Sequence, residues 1–275
     1  EAFGSWRNNF VVVSDDVDKD WEGILQGTTD EVGNLVNDKK PFINVVKIHS
    51  DSFEQQSSAG GDRYPAVNTA ISNAVDKGAL VLNYFGHGGE DGLAEERILL
   101  KPDINDFRNV CKLNCFVTVT CEFTRFDNPF RPTAGEFTYW KKQAGAIGLI
   151  TTTRQIFVSF AVSFNRVLGQ YLFSYNNNDD TVSDEYPTMA EALRLAKSDP
   201  SVSGASQRRL IFFIGDPAMK LAFSEPSIKL TKINDAPLTQ ATDTLKALSH
   251  VKLAGEVTDA GGNLLTSYNG TLSTT

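Results

Sequence analysis

The chain of 275 residues has only three cysteines, two methionines and three histidines. None of its apolar runs approaches the roughly 18 residues of a membrane helix. Each scarcity excludes something. A chain this long buries most of the apolar surface its unfolded form exposes, so it needs no disulfide staples. Cys111, Cys115 and Cys121 leave at least one thiol unpaired, and the spacing C-x3-C-x5-C fits no common zinc pattern. Three dispersed histidines without an H-E-x-x-H make a poor metal cage, so no metal and no cofactor is expected. Against 34 acidic residues stand 26 basic ones, a net charge of −8. Without a dense Lys/Arg cluster, this balance argues against a nucleic-acid surface. The opening residues, Glu1 to Arg7, lack the basic-then-apolar layout of a signal peptide, and there is no initiator Met. That start is expected of a mature form or an excised fragment.

What remains is ordinary globular material, 41% hydrophobic and 22% charged, enough for one large domain or for one domain and part of a second. Short apolar runs alternate with mixed segments as far as Leu221. Phe10 to Val13, Phe42 to Ile48, Ala79 to Phe85, Cys115 to Thr120, Ala146 to Thr152 and Leu210 to Ile214 read as strands. Their Val and Ile content suits strands covered on both faces, as in parallel sheets. Between them, Tyr64 to Lys77 carries Val67, Ala70, Ile71, Ala74 and Val75 at helical spacing and stops at Gly78. Asp103 to Val110 and Gln155 to Phe173 also read as helical. Thr133-Ala134-Gly135-Glu136 and Thr188-Met189-Ala190-Glu191 both have the layout of a capping box. The alternation predicts an α/β sheet with right-handed crossovers.

The texture changes after Phe223. Ser224-Glu225-Pro226 breaks the chain, Ser227 to Thr231 and Val251 to Thr258 read as strands, and residues 259–263 read as a turn. This tail is expected to open a β-sandwich, and it is too short for a whole immunoglobulin-like domain of about 100 residues. Asn269-Gly270-Thr271 is a formal glycosylation sequon without other support.

In an open parallel sheet, ligands sit beyond the carboxyl ends of the strands. Those ends carry Asp15 and Asp16, His49, His87, Cys121 with Glu122, and Arg154. A thiol and an imidazole on one edge are the ingredients of Cys–His nucleophilic catalysis. Cys115 falls inside a strand and reads as a buried small hydrophobe, and Cys111 as structural. Cys121 stands at a strand end among polar residues. His87 is flanked by glycines, so a substrate can approach the backbone closely and N–H groups can face an oxyanion. The competing reading of Gly86-His87-Gly88-Gly89 is a tight turn with an incidental histidine. His49 reads as a solvated strand-end residue and His250 as a surface one. Asp15, Asp16 and Asp18 resemble part of a calcium loop, but the glycine and the distal glutamate are missing. They read as solvated acids capping a helix near Asp18. No G-x-S-x-G elbow exists, and Gly86-x-Gly88 lacks the third glycine of a dinucleotide fingerprint.

Three ordered blocks carry a family resemblance. Asn83-Tyr84-Phe85-Gly86-His87-Gly88, Thr118-Val119-Thr120-Cys121-Glu122 and Phe213-Ile214-Gly215-Asp216-Pro217-Ala218-Met219-Lys220-Leu221 resemble the gingipain family of cysteine peptidases. The segments Gly88 to Arg97 and Cys121 to Pro129 are closest to its type IX secretion sortase branch (PorU-like). The resemblance implies a caspase-like α/β fold, mostly parallel and flanked by helices, over residues 1–223. Residues 224–275 would begin an immunoglobulin-like β-sandwich. It implies Cys121 as nucleophile, His87 as general base and acid, and an oxyanion hole from the backbone N–H groups of Gly88 and Cys121. Glu122 and Arg154 are candidates for lining a substrate pocket, with a structural salt bridge as the alternative. A third, acidic member is expected from an earlier subdomain upstream of Glu1; Glu90, Glu95 or Asp16 are the candidates within the chain.

The implied function is a cysteine endopeptidase or transpeptidase that removes C-terminal secretion signals from cargo proteins at the outer face of the bacterial outer membrane. Its implied partners are that cargo, other outer-membrane secretion proteins and an anchoring glycolipid, with no nucleic acid. Two alternatives stand beside it, a catalytically silent cargo-binding module and a general surface protease of gingipain type.

Overall fold

The computed structural model describes residues 4–176, 181–223, 227–238, 246–259 and 262–269. The chain divides into two compact units, Glu1–Ala222 and Phe223–Thr275. The first is built on a six-stranded sheet. Its strands are β1 (Asn9–Ser14), β2 (Asn44–His49), β3 (Val81–Phe85), β4 (Asn114–Val119), β5 (Ala146–Thr152) and β6 (Ile211–Ile214). They lie in the order β6-β5-β4-β3-β1-β2. All neighbours are parallel except β5 and β6, which are antiparallel. The strand pattern alone could not set that last direction. An apolar run of four reads the same in either sense, and only the route of the preceding helices decides it.

Residues of β1, β3 and β4 are almost wholly buried because helices cover both faces, so their runs are continuous rather than alternating. The period of two is still visible in where side chains go. Val11, Val13, Leu82, Tyr84, Phe116 and Leu149 join one core cluster with Val67, Ile71 and Val75. Those last three form the buried stripe of helix α2 (Pro65–Lys77). On the opposite face, Phe10 packs on Phe173 with ring centroids 4.8 Å apart. There Asn83 donates to Asn165 at 2.7 Å.

Helix α1 (Gly23–Lys39) packs on β1, β2 and a later helix, α4 (Val158–Leu172). Between them in sequence, α3 (Ala134–Trp140) packs on β5. The capping box at α3 forms, and that of Thr188 forms only in its first half, the Glu191 carboxylate pairing with Arg194 instead. At the start of α3, Glu136 Oε2 accepts from both the backbone N–H and the hydroxyl of Thr133 at 2.7 Å. At the start of α5 (Met189–Ser198), Thr188 accepts from the N–H of Glu191 at 3.1 Å. The expected helix from Asp103 to Val110 is instead short, Lys101–Asn105. Cys111 beyond it is exposed with φ +60°, at a surface turn rather than in a structural core.

The second unit is a three-stranded antiparallel sheet, with β7 (Ser227–Ile233) between β8 (Ala236–Pro237) and β9 (Leu253–Thr258). The turn after β9 closes with Asp259 N–H donating to the carbonyl of Asn263 at 2.9 Å. Ser224-Glu225-Pro226, residues 260 and 261, and Gly270-Thr271 of the sequon lie outside the described residues. Among the described residues no helix is long and apolar enough to cross a membrane.

Candidate active site

The parallel register assembles the site. Phe85 at the end of β3 lies opposite Val119 at the end of β4. His87 and Cys121 each follow two residues later, so both leave neighbouring strands at the same edge. The two exits are in contact. A Cβ placed on Gly88 would come within 2.7 Å of Thr120 Oγ1 and 3.1 Å of the Gly92 carbonyl oxygen. Only a glycine lets the loop after His87 pass this close to the residue before Cys121.

The backbone of His87 is held on both sides. Its N–H donates to Asp15 Oδ2 at 2.7 Å. Its carbonyl accepts from the Tyr84 hydroxyl at 2.5 Å and from Ala94 N–H at 2.9 Å. The short strand Gly88–Gly89 then pairs with Gly92–Leu93, so a hairpin begins immediately after the histidine. Its ring meets the edge of Trp21, with centroids 6.0 Å apart.

The ring also meets a carboxylate that sequence reasoning passed over. Glu22 Oε1 stands 3.1 Å from His87 Nε2. Glu22 is only 1% exposed, and its other oxygen accepts from the N–H groups of Asp18 at 2.9 Å and Lys19 at 2.8 Å. Burial by itself would raise this carboxyl. The Lys19 N–H, the His87 ring, the Lys19 ammonium and the Asp18 N–H together outweigh it and hold the group below its ordinary range.

An acid next to His87 is therefore present within the chain, and it is none of the three candidates. Asp16 accepts from the Tyr64 hydroxyl at 3.1 Å. Glu90 pairs with Arg125 at 3.1 Å and with Arg131 at 3.8 Å. No hydrogen bond joins Glu95 to the His87 ring. One signal for Glu22 was present in the sequence, a carboxylate shortly before a helix start. Its contact with a ring 65 residues away was not.

The Cys121 segment is braced from β5. The Thr152 hydroxyl donates to the carbonyl of Thr120 at 2.5 Å, and Thr124 N–H donates to the carbonyl of Thr152 at 3.0 Å. Thr151 Oγ1 lies 2.7 Å from the Thr118 hydroxyl and 2.8 Å from that of Thr124. Phe123 is buried and stacks on Phe116, and Glu122 takes up the reversal at φ +51°. Cys121 is half-buried, whereas Cys115 is fully buried and burial pushes its thiol up to about 12. A nucleophile must be reachable, and buried Cys115 is not.

An open polar cavity of about 360 Å³ adjoins this edge, lined among others by Glu90, Glu95, Arg97, Glu122 and Arg131. Glu122 thus faces a space that a substrate can enter. Arg154 forms a bidentate pair with Asp127 at 2.9 and 2.5 Å and does not line that cavity.

Two expectations fail at the same edge. His49 is buried rather than solvated, with Nδ1 2.8 Å from Ser14 Oγ and Nε2 3.4 Å from Asp30. Asp15 and Asp16 are 2% and 5% exposed, so they are not solvated helix caps. Helix α1 starts later, at Gly23, and the turn before it is tied by Glu22.

The model of peptidase family C25 matches residues 1–222. Among solved structures, the Arg-specific cysteine proteinase gingipain R (RgpB) superposes with a TM-score of 0.61 at 13% identity, covering 82% of this chain and 51% of that one. A complex of the Porphyromonas gingivalis RgpB pro- and mature domains gives 0.58 at 12% identity, covering 82% and 52%. A structure described as a protease gives 0.55 at 13%, covering 94% and 60%. The chain thus spans between half and three-fifths of these structures, and at such identities the likeness is one of fold. Comparison with curated proteins gives no match.

Proposed function

Because this chain belongs to peptidase family C25, we propose that it works as a cysteine peptidase with Cys121 as nucleophile and His87 as general base and acid. Its first unit has the caspase-like, gingipain-type α/β fold that the sequence blocks imply. The observation that carries the proposal is the register that brings His87 and Cys121 to one edge, two residues beyond the Phe85–Val119 pair.

In this mechanism the Cys121 sulfur attacks the scissile carbonyl and its proton passes to His87. Collapse of the tetrahedral intermediate expels the amine, which takes that proton, and leaves an acyl-thioester. Glu22, on Nε2, orients the ring and stabilises the imidazolium while Nδ1 exchanges the proton with the thiol. The backbone N–H groups of Gly88 and Cys121 serve the oxyanion, and the close passage of Gly88 against Thr120 supports that placement. Glu122 contributes to substrate binding from the wall of the adjoining cavity. Arg154 is instead held in a pair with Asp127.

The finer reading is that of a secretion sortase at the cell surface. It removes C-terminal signals from cargo, and the acyl-enzyme is resolved by water or by an amine on an anchoring glycolipid. The Gly88 to Arg97 and Cys121 to Pro129 segments support this branch. An electrophilic peptide probe tests the chemistry. It should label wild-type protein at Cys121 and fail on Cys121→Ala and His87→Ala. Labelling that persists in Cys121→Ala rejects the nucleophile. Cargo signals that are still removed by a full-length Cys121→Ala protein reject the sortase reading.

A further inference from the structure

Behind the backbone of His87, three carboxylates converge where the sequence suggested only solvated acids. Asp15 and Asp16 directly follow β1, and Glu96 returns to them from the loop after the Gly88–Leu93 hairpin. One oxygen from each lies within 4.8 Å of the others. Glu96 is 7% exposed, so all three groups are buried. Ordinary buried acids find a cationic side chain, because an unpaired buried charge is costly. Among the described residues, none of the three pairs with Lys, Arg or His. Their neighbours add negative charge instead. Asp18, Asp51 and Glu95 lie near enough to oppose ionisation of Asp16 or Glu96.

The two oxygens of Asp15 have different fates. Oδ2 accepts the His87 N–H, while Oδ1 is buried with no hydrogen-bond partner. An acceptor that is desolvated and unsatisfied among carboxylates is a ready ligand for a cation. Among the described residues the cluster thus has no counter-charge.

We propose that Asp15, Asp16 and Glu96 form a binding site for a hard divalent cation, with calcium as the best-fitting ion, directly behind the His87 loop. All donors are oxygens, which selects calcium or magnesium over softer metals. The oxygens of one calcium ion sit at about 2.4 Å from it, so opposite ligands stand about 4.8 Å apart. The observed spread fits within that span. Magnesium, at about 2.1 Å, demands a tighter and more regular cage. Through Asp15, the ion ties the end of β1 to the backbone N–H of His87 and to the Glu96 loop. The site does not depend on the peptidase reading, and its test reads binding rather than turnover.

The test uses the full chain stripped of metal with a chelator, titrated calorimetrically with calcium chloride, with the thermal midpoint followed in parallel. The wild type should bind one calcium per chain saturably, with a rise in midpoint. Glu96→Gln and Asp16→Asn should each weaken binding at least about tenfold, while Glu191→Gln, an exposed acid on α5, should match the wild type. In the metal-free state Asp16→Asn should melt no lower than the wild type, since it relieves repulsion. The wild-type titration decides by itself if a variant fails to fold. No saturable heat up to about 10 mM calcium, an order above the weakest calcium modules, overturns the site. So does undiminished binding in both folded variants.

Discussion

Replacing Glu22 with glutamine changes one atom's chemistry and almost no volume. Oε2 accepts two backbone N–H groups, from Asp18 and Lys19, and no donor can take its place without a clash. The amide oxygen of Gln must therefore stay on that side and turn its NH2 toward His87 Nε2. Two consequences follow for the ring. The charge that stabilises an imidazolium is gone, and Nε2 must become an acceptor, which moves the neutral ring's proton onto Nδ1. Nδ1 is then unable to receive the Cys121 proton.

A hydrogen bond to a charged group contributes about 1.5–3 kcal/mol, equal to about 10- to 150-fold in rate. The tautomer error adds to this, so kcat/KM should fall at least about 100-fold, in kcat rather than KM. The assay is cleavage of a peptide or cargo substrate. Alongside it, the native alkylation rate of Cys121 is followed in a Cys111→Ser background. A folded Glu22→Gln variant whose kcat/KM stays within about threefold of the wild type would refute the role given to Glu22.

Other consequences are separately measurable. Folded protein should expose two thiols to a small alkylating reagent, Cys111 and Cys121, with Cys115 reacting only after denaturation; mass mapping of labelled peptides checks this. Gly88→Ala should destabilise by about 1–3 kcal/mol through overpacking against Thr120 and the Gly92 carbonyl. Thr120→Ala should recover part of that loss in a double-mutant cycle read by urea unfolding. The native carboxyl of Glu22 lies below its ordinary value of 4.5. Its stabilising effect is therefore present above that pH and lost as pH falls through the native value. Unfolding free energies of wild type and Glu22→Gln should therefore converge toward acid, and a constant difference between pH 6 and 3 would contradict the assignment.

Much of the scaffold was legible in the chain itself, for local reasons. The β-branched run Val11 to Val13 has to be a strand covered on both faces, and the stripe of Val67, Ile71 and Val75 permits one helix face. The Thr133 capping box and the Thr188 cap each join a side chain to a backbone three residues away, and a device that short is written in the sequence. His87 and Cys121 stood out as candidates for the same kind of reason, an imidazole and a thiol each just beyond an apolar run. What the sequence could not supply were contacts between residues far apart in the chain. The direction of β6, the burial of His49 against Ser14 and the meeting of Glu22 with a ring 65 residues on all required the folded sheet. Asp15 and Asp16 are polar letters that composition assigns to water. The fold buries them because β1 ends inside the molecule, under the loop that carries Glu96. A side chain's type and near neighbours are properties of the sequence. Its solvent exposure and its charge partners are set by which strand ends lie side by side.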